Sequence, residues 1–341
     1  MTIKEESILV VGPAWVGDMV MAQSLFKVLK QENPSAQIDV LAPAWTKPVL
    51  SRMPEVRSAI PLPLGHGQLG LVARWRLGRS LRQYQYDRAI VLPRSLKAAI
   101  VPFAARAKKR TGFLGEQRWI LLNDIRRLDK KVLPKTIDRF VALGLEKNAR
   151  LPANLPLPLL TTDKENAHRV LGRIGHKPSN KKILGICPGA EYGPAKRWPA
   201  SYFAEVASKK LDEGWEVWLF GSEKDQPVTS EIMQATSDQC LDLAGKTTIV
   251  EAIDLLAITS TVLTNDSGLM HVAAATGIPI VAIYGSSDPA HTPPLTRSAK
   301  NLYLGLECSP CFKRDCPLGH TRCLYEISPE MVLKALHSSM L

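Results

Sequence analysis

The chain has 341 residues, more than one hydrophobic core usually supports, and this length suggests two domains. Hydrophobic residues make up 45% and charged residues 22%, which argues against disorder, collagen and coiled coil. No apolar run approaches the ~18 residues of a transmembrane helix, and the first residues lack the basic start and long apolar core of a signal peptide. We therefore expect a soluble, cytoplasmic protein.

The net charge of +12 is concentrated in one part of the chain. Between Arg74 and Lys131 there are sixteen Lys and Arg against four acidic residues, so this basic stretch holds the whole excess. Such a stretch is usually a solvated surface, but it also attracts nucleic acid, anionic lipid or phosphorylated substrates. Aromatic residues show no stacking pattern within it, which weakens the option of single-stranded nucleic acid.

Strand-length apolar runs alternate with segments of helical spacing along the chain. The predicted strands are 8–11, 38–42, 87–92, 183–187, 215–220, 261–265 and 278–284. The predicted helices are 18–31, 68–84, 95–105, 201–213, 249–258 and 267–276. This alternation predicts an α/β protein with two doubly wound parallel sheets covered by helices on both faces.

A proline-rich connector at 151–160 separates the two halves, and a polar loop at 176–182 follows it. We expect an N-terminal domain over residues 1–160 and a C-terminal domain over 161–341, with the linker at about 151–182. The C-terminal helix is expected to pack back on the N-terminal domain. Ligands of such sheets bind at the carboxyl ends of the strands, which predicts a site in a central cleft.

The loop after the first predicted strand, Gly12 to Asp18, places a carboxylate at a helix start. Its spacing matches neither the dinucleotide fingerprint nor the P-loop. Asp18 lies where either a helix N-cap or a catalytic carboxylate would be expected. The residues alone leave both roles open.

Two loops in the second half follow predicted strands and suit an anionic ligand. In 264–271, Asp266 or Ser267 caps a helix whose free N–H groups can bind a phosphate, with His271 one turn further on. An ordinary capped helix with a core histidine would have the same sequence. In 189–199, Lys196 or Arg197 could neutralise a diphosphate, although such a pair is often only a surface feature.

Together, a carboxylate, a helix-start anion site and a cation pair fit transfer from a nucleotide-diphosphate donor. The chain contains no Asp-x-Asp motif, so a divalent metal holding the diphosphate is not indicated. Backbone dipoles and Lys or Arg would have to stabilise the leaving group instead.

Four cysteines lie close together near the C-terminus: Cys308, Cys311, Cys316 and Cys323, with His320 between the last two. Without a secretion signal, stable disulfides are disfavoured. A structural zinc ion and reduced cysteines in a packed loop both remain open, because the spacing departs from that of paired zinc ribbons. Cys187 and Cys240 lie in or beside strands and are expected in the core.

Several motifs in order resemble the ADP-heptose:lipopolysaccharide heptosyltransferases of glycosyltransferase family 9. They are GPAWVGDMVMAQSL from residue 12, APAW (42–45), LSRMPEV (50–56), PLPLGHG (61–67), LLND (121–124), CPGAEYGPAKRWP (187–199) and TNDSGLMHVAAA (264–275). The resemblance covers roughly residues 7 to 300. It implies the GT-B fold, in which two Rossmann-like domains face a central cleft.

The same resemblance implies an inverting, metal-independent transfer of L-glycero-D-manno-heptose from ADP-heptose, with no catalytic cofactor. The Gly-His-Gly stretch at 65–67 and the GPAKRWP loop resemble the members whose acceptor is the first heptose of the Kdo-lipid A inner core. It further implies peripheral attachment at the cytoplasmic face of the inner membrane and no nucleic-acid partner.

Site residues follow from the resemblance by motif. Asp18 corresponds to the proposed general base and Lys196 to the phosphate-binding lysine. The other implied donor-binding residues are Gly189, Ala190, Glu223, Asp266, Ser267, Gly268, Leu269 and His271. The acceptor is implied to bind the N-terminal domain, where Arg94, Lys97 and Arg118 of the basic stretch are candidates for holding its anionic groups.

Other functions remain to be separated from this one. The loops at 189–199 and 264–271, which are implied to bind the sugar donor, would look alike in a family member that acts on the unheptosylated core or on another acceptor. A nucleotide-sugar epimerase would be expected to show a dinucleotide glycine fingerprint, which the chain lacks. A non-catalytic nucleotide-binding module, or a basic nucleic-acid-binding protein with zinc at the four cysteines, would also be consistent with parts of the sequence.

Overall fold

The structure is a computed structural model that describes residues 5–65, 68–177 and 179–339. The chain divides into two compact units, Met1–Pro158 and Leu159–Leu341. Each unit contains, within the described residues, a six-stranded sheet whose paired strands are all parallel. The predicted α/β class with two doubly wound sheets is confirmed.

The first unit has the strand order β3-β2-β1-β4-β5-β6. Its strands are β1 (Ser7–Val11), β2 (Gln37–Pro43), β3 (Val56–Leu62), β4 (Arg88–Val91), β5 (Lys109–Phe113) and β6 (Asp124–Arg126). Its helices are α1 (Val16–Glu32), α2 (Lys47–Leu50), α3 (Leu71–Ser80), α4 (Ile100–Ala104) and α5 (Thr136–Gly144). The apolar run of β1 lies at the centre of the sheet and is buried on both faces, as expected of a parallel sheet covered by helices.

The second unit has the strand order β12-β11-β10-β7-β8-β9. Its strands are β7 (Ile183–Cys187), β8 (Glu216–Leu219), β9 (Leu241–Asp242), β10 (Thr261–Asn265), β11 (Ile280–Ile283) and β12 (Ala299–Leu302). Its helices are α6 (Lys164–Arg173), α7 (Ala200–Asp212), α8 (Gln226–Ala235), α9 (Ile249–Leu256), α10 (Gly268–Ala274), α11 (Arg322–Tyr325) and α12 (Pro329–Ser339). Both central strands, β7 and β10, are apolar runs predicted from the sequence.

The C-terminal helix α12 packs in the second unit, against α7 and strands β10, β11 and β12. The expectation from the sequence was a return to the N-terminal domain. The observed packing follows from the apolar face of α12, because Val332 and Leu336 join the hydrophobic core of the second unit. Among the described residues, every helix is too short or too polar to cross a bilayer.

Candidate functional site

Asp18 lies in the first turn of α1, directly beyond the carboxyl end of the central strand β1. The N-cap position belongs to Trp15, whose side chain makes no capping hydrogen bond. Asp18 is therefore not the N-cap, although its charge complements the positive end of the helix dipole. The carboxylate is half-buried, which suits a base that must reach a bound hydroxyl group.

The loop that carries Asp18 is held by the neighbouring strand. The Gly12 N–H donates to the Leu41 carbonyl (2.8 Å), and the Trp45 indole donates to the Ala14 carbonyl (2.9 Å). A Cβ on Gly12 would lie 2.5 Å from Cε of Met19, so only glycine fits there without movement of that side chain. The hydrogen bond from Trp45 to Ala14 thus joins the APAW segment after β2 to the GPAW segment after β1. His66 and Gly67 of the Gly-His-Gly stretch lie outside the described residues.

Two of the predicted acceptor-binding cations, Arg94 and Lys97, follow strand β4. Because β4 pairs in parallel with β1, the loops after these two strands leave the same edge of the sheet. The exposed Arg94 donates from Nε and Nη2 to the Leu114 carbonyl, at 3.3 and 3.2 Å. Lys97 is half-buried in a short 3₁₀ turn. The structure thus brings both cations to the edge that carries Asp18.

Arg118 differs from the other two candidates because only 2% of it is exposed. Its guanidinium donates to the carbonyls of Pro93 (2.7 Å) and Phe113 (2.5 Å). Burial lowers its pKa to about 10, with the nearby charge of Arg94 acting in the same direction. Arg118 therefore ties the loop after β4 to the end of β5, and its geometry is that of a positioning residue rather than of a direct acceptor contact.

Much of the basic stretch is used inside the fold. Arg74 is buried and donates to the Leu69 carbonyl (2.7 Å), and the buried Arg126 pairs with Asp124 (2.9 Å). Other cations of the stretch are exposed: Arg76, Arg79, Arg94, Arg106, Lys108, Arg127, Lys130 and Lys131. The charge excess seen in the sequence is thus only partly available to a partner.

In the second unit, Lys196 and Asp266 form the centre of the candidate donor site. Lys196 Nζ lies 2.5 Å from Asp266 Oδ2, and the Ser287 hydroxyl donates to the same oxygen at 2.5 Å. Asp266, which follows β10, is only 4% exposed. Of the two adjacent cations, it is thus Lys196 that faces the site, while Arg197 donates from Nε to the Ala190 carbonyl (3.2 Å).

The loop carrying Lys196 is anchored by Trp198, which is fully buried and donates from its indole to the Ile327 carbonyl (2.9 Å). The side chain of buried Asn265 connects this loop to the end of β7. Its Oδ1 accepts the Trp198 N–H (3.0 Å), and its Nδ2 donates to the Pro188 carbonyl (2.7 Å). These contacts join the GPAKRWP and TND segments in the fold.

His271 lies in α10, which begins at Gly268 with Ser267 as the capping residue. The imidazole is only 6% exposed, and among the described residues its Nδ1 has no hydrogen-bond partner. Burial lowers its pKa to about 4, with Lys196 contributing and Asp266 opposing. The ring is therefore neutral near pH 7 and can act as a hydrogen-bond group without adding charge.

Gly189 and Ala190 follow β7, and Glu223 lies in a short 3₁₀ turn after β8. A Cβ on Gly189 would lie 2.2 Å from Oδ1 of Asp225, so this carboxylate stands directly against the glycine. Asp225 is held by the Ser222 N–H and hydroxyl, both at 2.8 Å. The exposed Glu223 lies at the same edge of the sheet as the residues after β7 and β10.

The predicted donor residues therefore come from loops after β7, β8 and β10, which are neighbours in the sheet. Sequence reasoning missed two members of this group. Ser287 lies four residues beyond the end of β11, and a polar Ser-Ser pair after a buried strand was the available signal. Asp225 was marked by the S-x-x-D pattern of a capping box with Ser222.

The four clustered cysteines line one small cavity of about 20 Å³ in the second unit, together with His320. All six cysteines are free thiols, and Cys187 and Cys240 are buried in the core as predicted. In the part of the chain that the structure describes, no three His, Cys, Asp or Glu side chains are arranged to hold a metal ion as they stand.

Two six-stranded parallel sheets of this order, with polar residues beyond the carboxyl ends of their strands, match the GT-B glycosyltransferase fold of a solved structure that is 43% identical to the chain. A family model described as glycosyltransferase family 9 (heptosyltransferase) matches residues 74–322, and the chain belongs to this family. The predicted family and fold are thereby confirmed, and the protein is a glycosyltransferase.

Similar proteins align with the chain over nearly its full length. Lipopolysaccharide heptosyltransferase 2 of Salmonella typhimurium is 48% identical over 339 residues, with 97% of each chain covered. Lipooligosaccharide heptosyltransferase 2 of Haemophilus influenzae is 47% identical, with 97% of this chain and 98% of the relative covered. The solved structure of Escherichia coli ADP-heptose lipopolysaccharide heptosyltransferase II is 43% identical with a TM-score of 0.86, covering 98% of both chains.

Proposed function

We propose that the protein transfers L-glycero-D-manno-heptose from ADP-heptose to the first heptose of the Kdo-lipid A inner core, with inversion and without a metal ion. The observation that carries this proposal is the similarity to heptosyltransferase 2 proteins along 97% of the chain. Because the similarity includes both units, it concerns the acceptor side as well as the donor side.

On the donor side, Lys196 supplies the positive charge for the ADP diphosphate. Its ammonium is held by the buried carboxylate of Asp266, so it is oriented before a ligand arrives. A preoriented cation stabilises the charge that develops on the leaving diphosphate without further reorganisation. The neutral His271 and the backbone after Gly189 add hydrogen-bonding groups, and Glu223 is assigned to the ribose.

On the acceptor side, Asp18 acts as the general base. The acceptor hydroxyl oxygen attacks the anomeric carbon, its proton passes to the Asp18 carboxylate, and the bond to ADP breaks with the electron pair leaving on the diphosphate. A single carboxylate suffices because the leaving group departs as a stabilised anion. Arg94 and Lys97, at the same sheet edge as Asp18, are assigned to anionic groups of the acceptor.

The first unit also supports contact with an anionic membrane surface. Helix α3 exposes Leu71, Val72 and Trp75 on the same face as the cations Arg76 and Arg79. A helix face that combines apolar side chains with arginines binds the interface of an anionic bilayer. Peripheral attachment to the inner membrane would bring the enzyme to its lipid-linked acceptor.

The experiment that tests the activity follows two acceptors by mass spectrometry. Purified protein receives ADP-heptose with either Kdo2-lipid A or its monoheptosylated form. The proposal expects a gain of one heptose on the monoheptosylated acceptor only. A gain on the unheptosylated acceptor would assign the protein to a different step of core assembly, and no gain on either would contradict heptose transfer to the inner core.

A further inference from the structure

The four clustered cysteines belong to a segment that we call the cysteine-rich loop, residues 306–323. It follows β12 and ends at the second residue of α11. Two of its hydrogen bonds reach the loop after β11, which carries Ser287. The Ser309 hydroxyl donates to the Gly285 carbonyl (2.5 Å), and the Phe312 N–H donates to the Ser286 carbonyl (2.7 Å).

The same segment is also bound to the loop that carries Lys196. The Arg314 carbonyl accepts the Ala195 N–H (3.0 Å), and Arg314 Nε donates to the Tyr192 carbonyl (2.6 Å). The Arg314 guanidinium and the Lys196 ammonium lie 5.9 and 5.2 Å from the centre of the Tyr192 ring. A Cβ on Gly193 would lie 2.5 Å from the Arg314 carbonyl oxygen, which shows how closely the two backbones approach. The cysteine-rich loop therefore supports both loops of the Lys196–Asp266–Ser287 centre.

The cysteine-rich loop has little regular secondary structure to hold it in this position. Within the described residues its backbone forms only turns and bends before α11. All four cysteines of this loop line the same small cavity. A cavity of about 20 Å³ is close to the size of a single water molecule or ion.

The surroundings of the thiols suit thiolate ligands. The backbone of Thr321, and also of Leu318, Gly319 and His320, forms hydrogen bonds to the Cys316 sulfur. The buried Cys323 lies close enough to the other three cysteines to interact electrostatically with each of them. Four sulfurs are thus close enough to repel one another as anions, and a cation between them would remove that repulsion.

We propose that Cys308, Cys311, Cys316 and Cys323 form a tetrathiolate site for one thiophilic divalent ion, Zn²⁺ or Fe²⁺, which braces the cysteine-rich loop against the donor loops. Thiolates select these ions, and four sulfurs complete a closed tetrahedral site. The thiols do not form a finished coordination shell as they stand. Because all four already line one cavity, rotation about their Cα–Cβ bonds is the movement that would close it, with release of the thiol protons.

His320 is not needed as a ligand. Its Nδ1 accepts the Arg322 N–H at 3.1 Å, so one ring nitrogen already serves the turn before α11. A divalent ion with four thiolates leaves a negative site. Two cations of the loop lie nearby: Arg314, and Arg322, whose charge interacts with Cys308 although its guanidinium also pairs with Glu326 (2.5 Å). The bracing role rests on the proposed function, whereas the metal site does not.

Elemental analysis of the purified full-length chain tests the metal site directly. Plasma mass spectrometry should find one zinc or iron per chain, and it identifies which of the two is bound. Cys308→Ser and Cys316→Ser should lose the metal, whereas Cys240→Ser, which changes a buried cysteine outside the cysteine-rich loop, should keep it. Circular dichroism of each variant shows whether loss of metal accompanies loss of fold.

Cobalt reconstitution keeps the test valid if the serine variants do not fold. Wild-type protein stripped with a chelator under reducing conditions and loaded with Co²⁺ should show the intense sulfur-to-cobalt charge-transfer absorption of a tetrathiolate. Absence of metal with no such absorption would overturn the site, as would a disulfide among the four cysteines in protein purified under non-reducing conditions.

The bracing role has a separate readout in ADP binding measured by calorimetry. Removal of the metal should weaken ADP binding by about tenfold or more, since the hydrogen bonds to Tyr192 and Ala195 lose their support. Unchanged ADP affinity in the stripped, folded protein would overturn the bracing role. If the protein binds the metal but does not transfer heptose, the result would contradict the proposed function and leave the metal site standing.

Discussion

The ammonium of Lys196 lies 2.5 Å from the carboxylate of Asp266, although the two residues are 70 positions apart in the chain. Lys196 follows β7, Asp266 follows β10, and these strands are parallel neighbours whose ends meet at one edge of the sheet. In the proposed function, the pair holds a cation for the ADP diphosphate. It also gives the buried carboxylate of Asp266 a counter-ion. Both consequences can be separated by experiment.

Lys196→Gln should weaken ADP binding by about ten- to a hundredfold, because a hydrogen bond to a charged group contributes about 1.5–3 kcal/mol. The variant should also unfold at a lower temperature, since the buried Asp266 carboxylate loses its counter-ion. Calorimetry with ADP and thermal unfolding measure the two effects. Lys224→Gln is the matched control, because Lys224 pairs with Glu191 at the exposed surface (2.6 Å), and it should leave both quantities nearly unchanged.

His271 should make the protein less stable as the pH falls below neutrality. Its pKa is about 4 in the folded state against 6.5 for the free side chain, so between these values the unfolded state binds more protons. The stabilisation is present above about pH 6.5 and is lost progressively towards pH 4. Between about pH 7.5 and pH 5 the loss is on the order of 2 kcal/mol.

His271→Gln removes this titration, so its unfolding temperature should fall less than that of the wild type over the same pH change. Other groups titrate in both proteins. The difference between the two curves of unfolding temperature against pH therefore gives the contribution of His271 alone. Identical pH dependence in wild type and variant would show that the imidazole is not held neutral by burial.

Gly189→Ala should disturb the donor loops, because the new Cβ would lie 2.2 Å from Oδ1 of Asp225, a side chain fixed by Ser222. A loss of about 1–3 kcal/mol of stability is expected, together with weaker ADP binding. Gly172→Ala is the matched control within the same unit: no atom of the described residues lies within 4 Å of its Cβ, and its place in α6 favours alanine. Urea unfolding should separate the two variants, and equal stabilities would contradict the close contact at Gly189.

The exposed face of α3 should bind anionic vesicles. Arg76→Glu combined with Arg79→Glu should lower partitioning onto phosphatidylglycerol-containing vesicles by at least about tenfold, as each cation near the surface contributes about 1 kcal/mol. Lys177→Glu combined with Lys181→Glu makes the same charge change on exposed residues of the second unit. If both pairs reduce sedimentation with vesicles equally, net charge rather than α3 governs the attachment.

The central strands were predictable from the sequence because they are continuous apolar runs in covered parallel sheets. The predicted strands 183–187 and 261–265 coincide with β7 and β10. The edge strands β3, β6, β9 and β12 were not predicted, since they are short or partly exposed and carry no such run. Strand β5, with the sequence KRTGF, was hidden by its two initial charges.

The candidate site was predictable only as far as strand ends can be recognised. The positions of Asp18, Lys196 and Asp266 followed from strand-to-helix turns and from the family resemblance. Lys196 rather than Arg197 faces Asp266 because Trp198 anchors their loop. Ser287 contacts Asp266 because β10 pairs with β11. Such contacts between distant segments leave no local pattern in the sequence.

Asp18→Asn provides the most direct test of the account, through the rate of heptose transfer to monoheptosylated Kdo2-lipid A together with ADP-heptose binding. The substitution keeps the shape of the side chain and removes its basicity. Transfer should slow by about 10²- to 10⁴-fold while donor affinity stays unchanged, because the donor residues lie in the second unit. A variant that transfers heptose at the wild-type rate would contradict Asp18 as the general base and, with it, the proposed mechanism.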